Sequence, residues 1–385
     1  MDKERMKCLV QDSQAVSVRF PRIMIAAEKS GGGKTLFTCA LLSLLKEKIQ
    51  EVRAFKCGPD YIDPMFHRTV LEIPSRNLDS FFADGDTLRY LLGREVLEMK
   101  KIPESRIAVL EGVMGFYDGL GGVSERSSAW EVADLTDTPV ILLVDMKGRR
   151  LSALASIKGF LDYKEKSHVT GVVFNRLSPM LYPGLKERAE RELGIRVFGY
   201  VPELKNMTLE SRHLGLVMPE EILGIRERLD LIKEKVRVGI NLDGIIEEAG
   251  RAAEIEVKLP EAVRQFCNVD CGTGIKKTVV AVAKDEAFCF YYEDNLDILR
   301  KLGAEIQYFS PIHDRNLPVE TCAVYLGGGY PELHAKALSE NISMRNAIRQ
   351  AVMEEMPCIA ECGGYLYLKD SIVDPDGVEW PMAGG

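Results

Sequence analysis

The stretch that decides the fold is Arg22-Ile23-Met24-Ile25-Ala26-Ala27-Glu28-Lys29-Ser30-Gly31-Gly32-Gly33-Lys34-Thr35, followed by an amphipathic run to Lys48. Its first six residues read as a short buried strand, and Thr35–Lys48 reads as a helix with apolar residues on one side. Between them lies a glycine-rich turn. Glycines let backbone N–H groups curl around phosphate oxygens, and the helix N-terminus adds partial positive charge. In that reading Ser30, Gly31, Gly32, Gly33, Lys34 and Thr35 cradle a nucleotide. Lys34 neutralises the outer phosphates and Thr35 offers its hydroxyl to magnesium. Glu28 stands where such a loop usually has its first glycine. A turn that merely joins strand to helix is the plainer alternative, but Gly-Lys-Thr at the junction favours the nucleotide.

Working outward, Val52–Cys57, Ile107–Leu110, Val140–Val144, Val169–Phe174 and Arg196–Tyr200 are further short apolar runs, with helical patterns at Leu185–Leu193 and Glu220–Val236. Runs of this kind suit strands covered on both faces, and their alternation with helices predicts an α/β fold with a doubly wound parallel sheet. The pattern weakens over 241–277 into a charged helix and a mixed stretch with Pro260, Gly272 and Gly274, which together read as a linker, and restarts at Thr278–Ala283. Strands near Glu305–Phe309, Cys322–Leu326 and Pro357–Ala360, with helices at Asp294–Leu302 and Met344–Glu354, predict a second α/β domain over 278–385. The expected organisation is therefore an extension over 1–21, a nucleotide-binding domain over 22–240, a linker, and the second domain; at 385 residues two domains are the natural division.

The net charge of −8 offers no general nucleic-acid surface, and no apolar run is long enough to cross a bilayer. The first residues lack the compact apolar stretch of a signal peptide, so a cytoplasmic location is expected. The nine cysteines are scattered without a Cys-x-x-Cys pair, which argues for reduced thiols over a zinc site.

Acids cluster at predicted strand ends. Asp60 and Asp63 follow the second strand of the series in Gly58-Pro59-Asp60-Tyr61-Ile62-Asp63, a sequence equally at home in a solvated turn. Glu111 ends the run Ile107–Leu110, where a phosphate-transferring ATPase carries its magnesium-coordinating carboxylate, and Asp118 follows between glycine-rich turns. Acid-bearing strand ends around one glycine-rich loop point to one crevice, because ligands of such sheets bind beyond the carboxyl ends of the strands. Asn175 and Pro202 end later strands and are candidates to touch the adenine ring; for Asn175 a simple turn role weighs equally. In the second domain, Glu361-Cys362-Gly363-Gly364 follows a strand as an elbow exposing a nucleophile, and Gly328 and Gly329 in the loop Gly327–Glu332 are candidates for an oxyanion hole.

These motifs, together with Phe55–Pro64, Pro74–Asp79, Glu111–Gly119, Leu209–Glu221, Gly328–Leu333 and Glu361–Gly364, resemble the cobyrinic acid a,c-diamide synthase family. The resemblance covers almost the whole chain beyond the extension. It implies a P-loop NTPase-type domain followed by a class I glutamine amidotransferase-like domain, with ATP and Mg2+ as cofactors. It further implies a corrinoid or related tetrapyrrole as substrate, and ammonia from glutamine as nitrogen donor. Asp60, Asp63 and Asp118 would face the substrate, Thr35 and Glu111 the metal, and Cys362 would attack glutamine. No membrane or nucleic-acid partner is implied, and homodimer formation is left open. Enzymes acting on Ni-sirohydrochlorin and the cobyric acid synthases look similar, and an ATP-gated switch of the ParA type is the competing class. The family's glutaminase uses a histidine downstream of its cysteine, whereas none follows Cys362 here and His334 does not match that position. The second domain is therefore expected to be incomplete, with weak glutaminase activity.

Overall fold

The computed structural model describes residues 15–98, 105–204, 219–261, 263–264 and 278–384, and the chain divides into two compact units, Met1–Glu261 and Ala262–Gly385. The first unit is built on seven parallel strands: β2 (Arg22–Ala27), β3 (Glu51–Cys57), β4 (Ser75–Leu78), β5 (Arg106–Glu111), β6 (Val140–Asp145), β7 (Val169–Asn175) and β8 (Arg196–Val201). Their order across the sheet is β4-β3-β5-β2-β6-β7-β8. β2, β5 and β6 are buried along their whole length, which is why they read as unbroken apolar runs rather than alternating ones. Helices α1 (Lys34–Lys48), α2 (Ile62–Thr69), α3 (Gly85–Glu98), α4 (Ala129–Leu135), α5 (Ser152–Asp162) and α6 (Tyr182–Leu193) make the crossovers. With β2 in the middle of the sheet, the glycine-rich loop opens between the ends of β5 and β6.

Two boundaries differ from the sequence reading. The extension is not wholly separate, because β1 (Val16–Val18) pairs antiparallel with β9 (Ile255–Val257), Val16 facing Val257. Nor is 241–257 a linker. After α7 (Pro219–Gly239), helix α8 (Leu242–Gly250) buries Ile245 and Ala249 in the same core as Leu41 and Leu45 of α1. Its N-cap Asn241 accepts from Gly244 N at 2.9 Å and donates its own N–H to Phe198 O at 2.7 Å. The charged helix read at the start of this stretch is present, but its other face is apolar and packs into the core, so it is part of the first unit and not of a linker. The rest of the predicted linker, 265–277, lies outside the described residues, as do 1–14 and most of the Leu209–Glu221 motif.

The second unit carries four parallel strands in the order β11-β10-β12-β13, namely β10 (Thr278–Ala283), β11 (Ala304–Phe309), β12 (Thr321–Leu326) and β13 (Cys358–Ala360). Helices α9 (Glu293–Lys301), α10 (Ala335–Glu340) and α11 (Ile342–Met353) flank it, and short α12 (Gly363–Tyr367) follows β13. A hairpin of β14 (Ser371–Val373) and β15 (Glu379–Pro381) closes the described chain. The sequence pattern missed this hairpin, because strands this short and largely exposed leave almost no periodicity.

Candidate functional site

At the end of β2, Gly31 and Gly33 adopt φ of 70° and 90°, a left-handed conformation that glycine takes without steric cost. Gly33 then caps α1. A Cβ on Gly33 would sit 2.5 Å from Asn175 Nδ2, and that amide donates to Gly32 O at 2.8 Å. Asn175 therefore braces the loop from β7, in addition to any contact with a base. Pro202 follows at the end of the neighbouring β8. Ser30 is exposed at the loop's tip. Glu28, the departure from the usual glycine, accepts from Arg149 Nη1 at 2.8 Å and from Asp145 N at 3.2 Å, tying the loop's start to the end of β6.

The acids meet on the other side of the loop. Thr35 Oγ1 lies 2.7 Å from Glu111 Oε1 and 3.2 Å from Asp63 Oδ2. Since one hydroxyl donates one proton, the shorter contact to Glu111 is the donated bond. Asp60 Oδ1 accepts from Ile62 N at 2.9 Å and Asp63 N at 3.2 Å, so it initiates α2 as a turn acid would, while its other oxygen faces the cluster. Asp118 accepts from Gly115 N at 3.0 Å and fixes the turn after β5, close enough for its charge to act on Lys34.

Sequence reasoning missed the centre of this arrangement. Lys56, only 4% exposed on β3, places Nζ 2.5 Å from Asp63 Oδ2, 3.0 Å from Glu111 Oε1 and 3.6 Å from Asp60 Oδ2. Burial pulls its ammonium toward neutrality, but Glu111, Asp63 and Asp60 outweigh that and raise its pKa, so it stays charged. Burial likewise pushes Asp63 up, and the adjacent Lys56 overrides it and holds the carboxyl below its usual range. For Glu111 the balance reverses: burial and then Asp63's charge push it up to about 7 against the pull of Lys56. Burial also raises Asp60, with Asp63 adding repulsion. Lys34, which donates to Met114 O, is lowered to about 8 by burial and then by Lys56. A second missed residue, fully buried His67, is kept neutral with a pKa near 4 by burial and points Nε2 at Glu111 Oε2 from 3.7 Å. The available signal for Lys56 was its place two residues before the Gly58 turn, on the strand that ends at Asp60's loop.

Among the described residues no group of three or more His, Cys, Asp or Glu side chains is arranged to enclose a metal. That is compatible with Mg2+, which keeps several waters and takes phosphate oxygens, needing only one or two protein ligands. Glu111 Oε2 is a buried oxygen that accepts no hydrogen bond among the described residues, and the Thr35 hydroxyl lies beside the same carboxylate. These two residues fit such an ion.

In the second unit, Cys362 is exposed between β13 and α12 with φ 46° and ψ −107°. A non-glycine residue in that region is strained, as nucleophile elbows are. The candidate oxyanion loop lies directly against it: a Cβ on Gly328 would be 3.6 Å from Cys362 Cβ, and one on Gly363 would be 3.2 Å from Gly329 N. Cys289 and Phe290 both donate to Gly328 O at 3.0 Å, fixing that peptide's orientation. A cavity of about 510 Å³ opens here, lined by Cys362, Gly329, Tyr330, Glu332, Phe290 and Ile372 among others.

Residues 23–217 match the model of the CobQ/CobB/MinD/ParA nucleotide binding domain, and residues 279–384 match that of the CobB/CobQ-like glutamine amidotransferase domain. The chain is 38% identical to a cobyrinate a,c-diamide synthase of Thermoplasma volcanium, over 95% of this chain and 77% of that one. A cobyrinate a,c-diamide synthase of Priestia megaterium is 35% identical, over 94% of this chain and 76% of its own length. One of Listeria innocua is 38% identical, over 94% and 77% respectively. An ATP-handling unit and a glutamine-handling unit, in this order and with identity sustained across both, mean that the chain belongs to the cobyrinate a,c-diamide synthase family, whose reaction is an ATP-dependent amidation with glutamine as nitrogen donor in cobalamin biosynthesis.

Proposed function

We propose that the first unit phosphorylates the a and c carboxylates of cobyrinic acid in the crevice between the glycine-rich loop and the Asp60, Asp63 and Asp118 turns, and that ammonia then converts each acyl phosphate to an amide. The observation that carries this reading is the buried Lys56 shared by Asp60, Asp63 and Glu111 beside Thr35. A fixed positive charge there offsets the repulsion that several carboxylates would exert on an anionic substrate and a triphosphate. ATP sits on Ser30–Thr35, with Lys34 on its outer phosphates. Mg2+, held by Thr35 and Glu111, would neutralise charge on the transferring phosphoryl group. A substrate carboxylate oxygen attacks the γ-phosphorus and ADP leaves; ammonia attacks the acyl carbon, and phosphate leaves with the C–O bond electrons.

In the second unit Cys362 Sγ attacks the glutamine amide carbon, with Gly328 and Gly329 facing the developing oxyanion; the thiol proton passes through solvent to the amide nitrogen, the C–N bond breaks to release ammonia, and water hydrolyses the thioester to glutamate and the free thiol. The enzyme acts in the cytoplasm in this reading. The test supplies MgATP and cobyrinic acid, with ammonia in one series and glutamine in another, and reads products by mass spectrometry. Diamide with ammonia supports the synthetase assignment. ADP and amide from sirohydrochlorin but not from cobyrinic acid would move the substrate to the related macrocycle, and ATP turnover indifferent to any tetrapyrrole would favour a switch.

A further inference from the structure

Just beyond the Asp60 loop the first unit exposes two large aromatic rings that its own core does not use. Phe81 and Phe82 follow β4, are 50% and 74% exposed, and meet edge to face with ring centroids 4.8 Å apart. Adjacent exposed aromatics mark a surface that meets something apolar more often than an accident of sequence. These two are also held firmly. Buried Asp79 accepts from Phe81 N at 2.9 Å through Oδ1, and its carbonyl accepts from Ala83 N at 3.0 Å, closing the turn that carries them. Asn77, at the end of the same strand, donates to Gly58 O at 3.0 Å and Asp60 O at 2.7 Å. The aromatic turn and the Asp60 loop are thereby one hydrogen-bonded piece.

The sheet order fixes the direction in which a substrate must lie. From the edge inward, the strand ends carry the aromatic pair (β4), Lys56 and Asp60 (β3), Glu111 and Asp118 (β5), then the glycine-rich loop (β2). At ~4.8 Å per strand the end of β4, which leads into the aromatic pair, stands ~14 Å from the end of β2, which leads into the phosphate loop, with the acid–lysine cluster on the strands between. A carboxylate that receives phosphate must point inward at the loop. The body of the molecule bearing it then extends away from the nucleotide, and the open edge on that side is where Phe81 and Phe82 stand. We propose that Phe81 and Phe82 form an aromatic shelf for the flat conjugated ring of the corrinoid while one carboxylate arm reaches the Asp60–Lys56 cluster. Offset or edge contacts between rings give such a shelf both apolar area and orientation. The shelf rests on the proposed amidation of a tetrapyrrole and says where its ring lies.

The experiment uses the full chain and cobyrinic acid. Wild type, Phe82→Ala, Phe81→Ala/Phe82→Ala and Phe82→Trp are compared by equilibrium dialysis of the coloured corrinoid, by ammonia-dependent amidation, by KM for ATP and by molar mass in solution. In the double alanine variant, Kd and KM for cobyrinic acid rise about tenfold or more, the range of a buried aromatic anchor. KM for ATP and thermal stability stay at the wild-type level, and Phe82→Trp retains binding. Unchanged corrinoid Kd and KM in the double variant overturn the shelf while leaving the amidation reading intact. Unchanged corrinoid binding with a loss of self-association reassigns the pair to a contact between copies. A wild-type chain that neither binds nor amidates cobyrinic acid overturns the parent reading and the shelf with it.

Discussion

Replacing Lys56 with methionine tests the electrostatic core of the site most directly. The side chain's volume is nearly kept, so the change removes one charge rather than opening a cavity. In the native structure that charge has Asp63 at 2.5 Å, Glu111 at 3.0 Å and Asp60 at 3.6 Å, with the lysine only 4% exposed. Breaking a buried pair from one side strands its partners, which costs about 3–5 kcal/mol. The loss depends on pH. Asp63, held down by Lys56 against burial, contributes stability above its unfolded pKa that fades as pH falls. Without Lys56 that contribution disappears, and both Asp63 and Glu111 gain a tendency to bind protons in the folded state. Glu111 is already raised to about 7, so its ionisation weighs against folding as pH rises from the ordinary carboxylate range through about 7. The Lys56→Met penalty is thus largest at pH 8 and shrinks toward pH 5.

The sequence holds two tryptophans, Trp130 in the first unit and Trp380 in the second. In a Trp380→Phe background, urea unfolding followed by fluorescence reports the first unit alone. Adding Glu111→Gln to Lys56→Met removes one stranded charge and recovers part of the loss. A Lys56→Met midpoint within about 1 kcal/mol of the parent at pH 8, or a penalty that grows on acidification, would refute the reasoning.

Cys362→Ser abolishes amide formation from glutamine and leaves ammonia-dependent amidation unchanged, measured by product mass spectrometry; equal loss from both donors would detach Cys362 from glutamine chemistry. Gly33→Ala must place a Cβ 2.5 Å from Asn175 Nδ2 at φ 90°, so ATP affinity measured by calorimetry falls at least about tenfold, and retention of affinity would mean the loop is not the phosphate cradle. Gly199→Ala drives a Cβ to 2.3 Å from Gly239 O, where β8 receives the end of α7; it lowers the first unit's stability by about 1–3 kcal/mol in the same urea assay, and a neutral result would contradict the docking of α7 and α8 on that sheet.

Much of the molecule was legible in the chain because the relevant physics is local. A strand buried on both faces must be apolar throughout, so β2, β5, β6 and β7 announced themselves within a residue at each end. A loop that wraps phosphate needs glycine where φ is positive, and Gly31 and Gly33 meet that need with no help from distant residues. A nucleophile elbow likewise needs small neighbours, so Gly363 and Gly364 exposed Cys362 to inspection. Lys56 and His67 could not be found this way. On the page Lys56 is one charge in a strand, and His67 one ring in a short helix. Only the parallel pairing of β3 with β5, Lys56 opposite Glu111, makes the lysine the shared partner of acids 4, 7 and 55 residues away. The same holds for α8: its charged helical pattern is legible in the sequence, but only the tertiary structure sets its apolar face in the core of the first unit instead of in a linker. Sequence fixes what each segment can do with its own backbone and neighbours, whereas burial, and hence the charge a side chain keeps and the partner it keeps it with, depends on which strand ends the fold sets side by side.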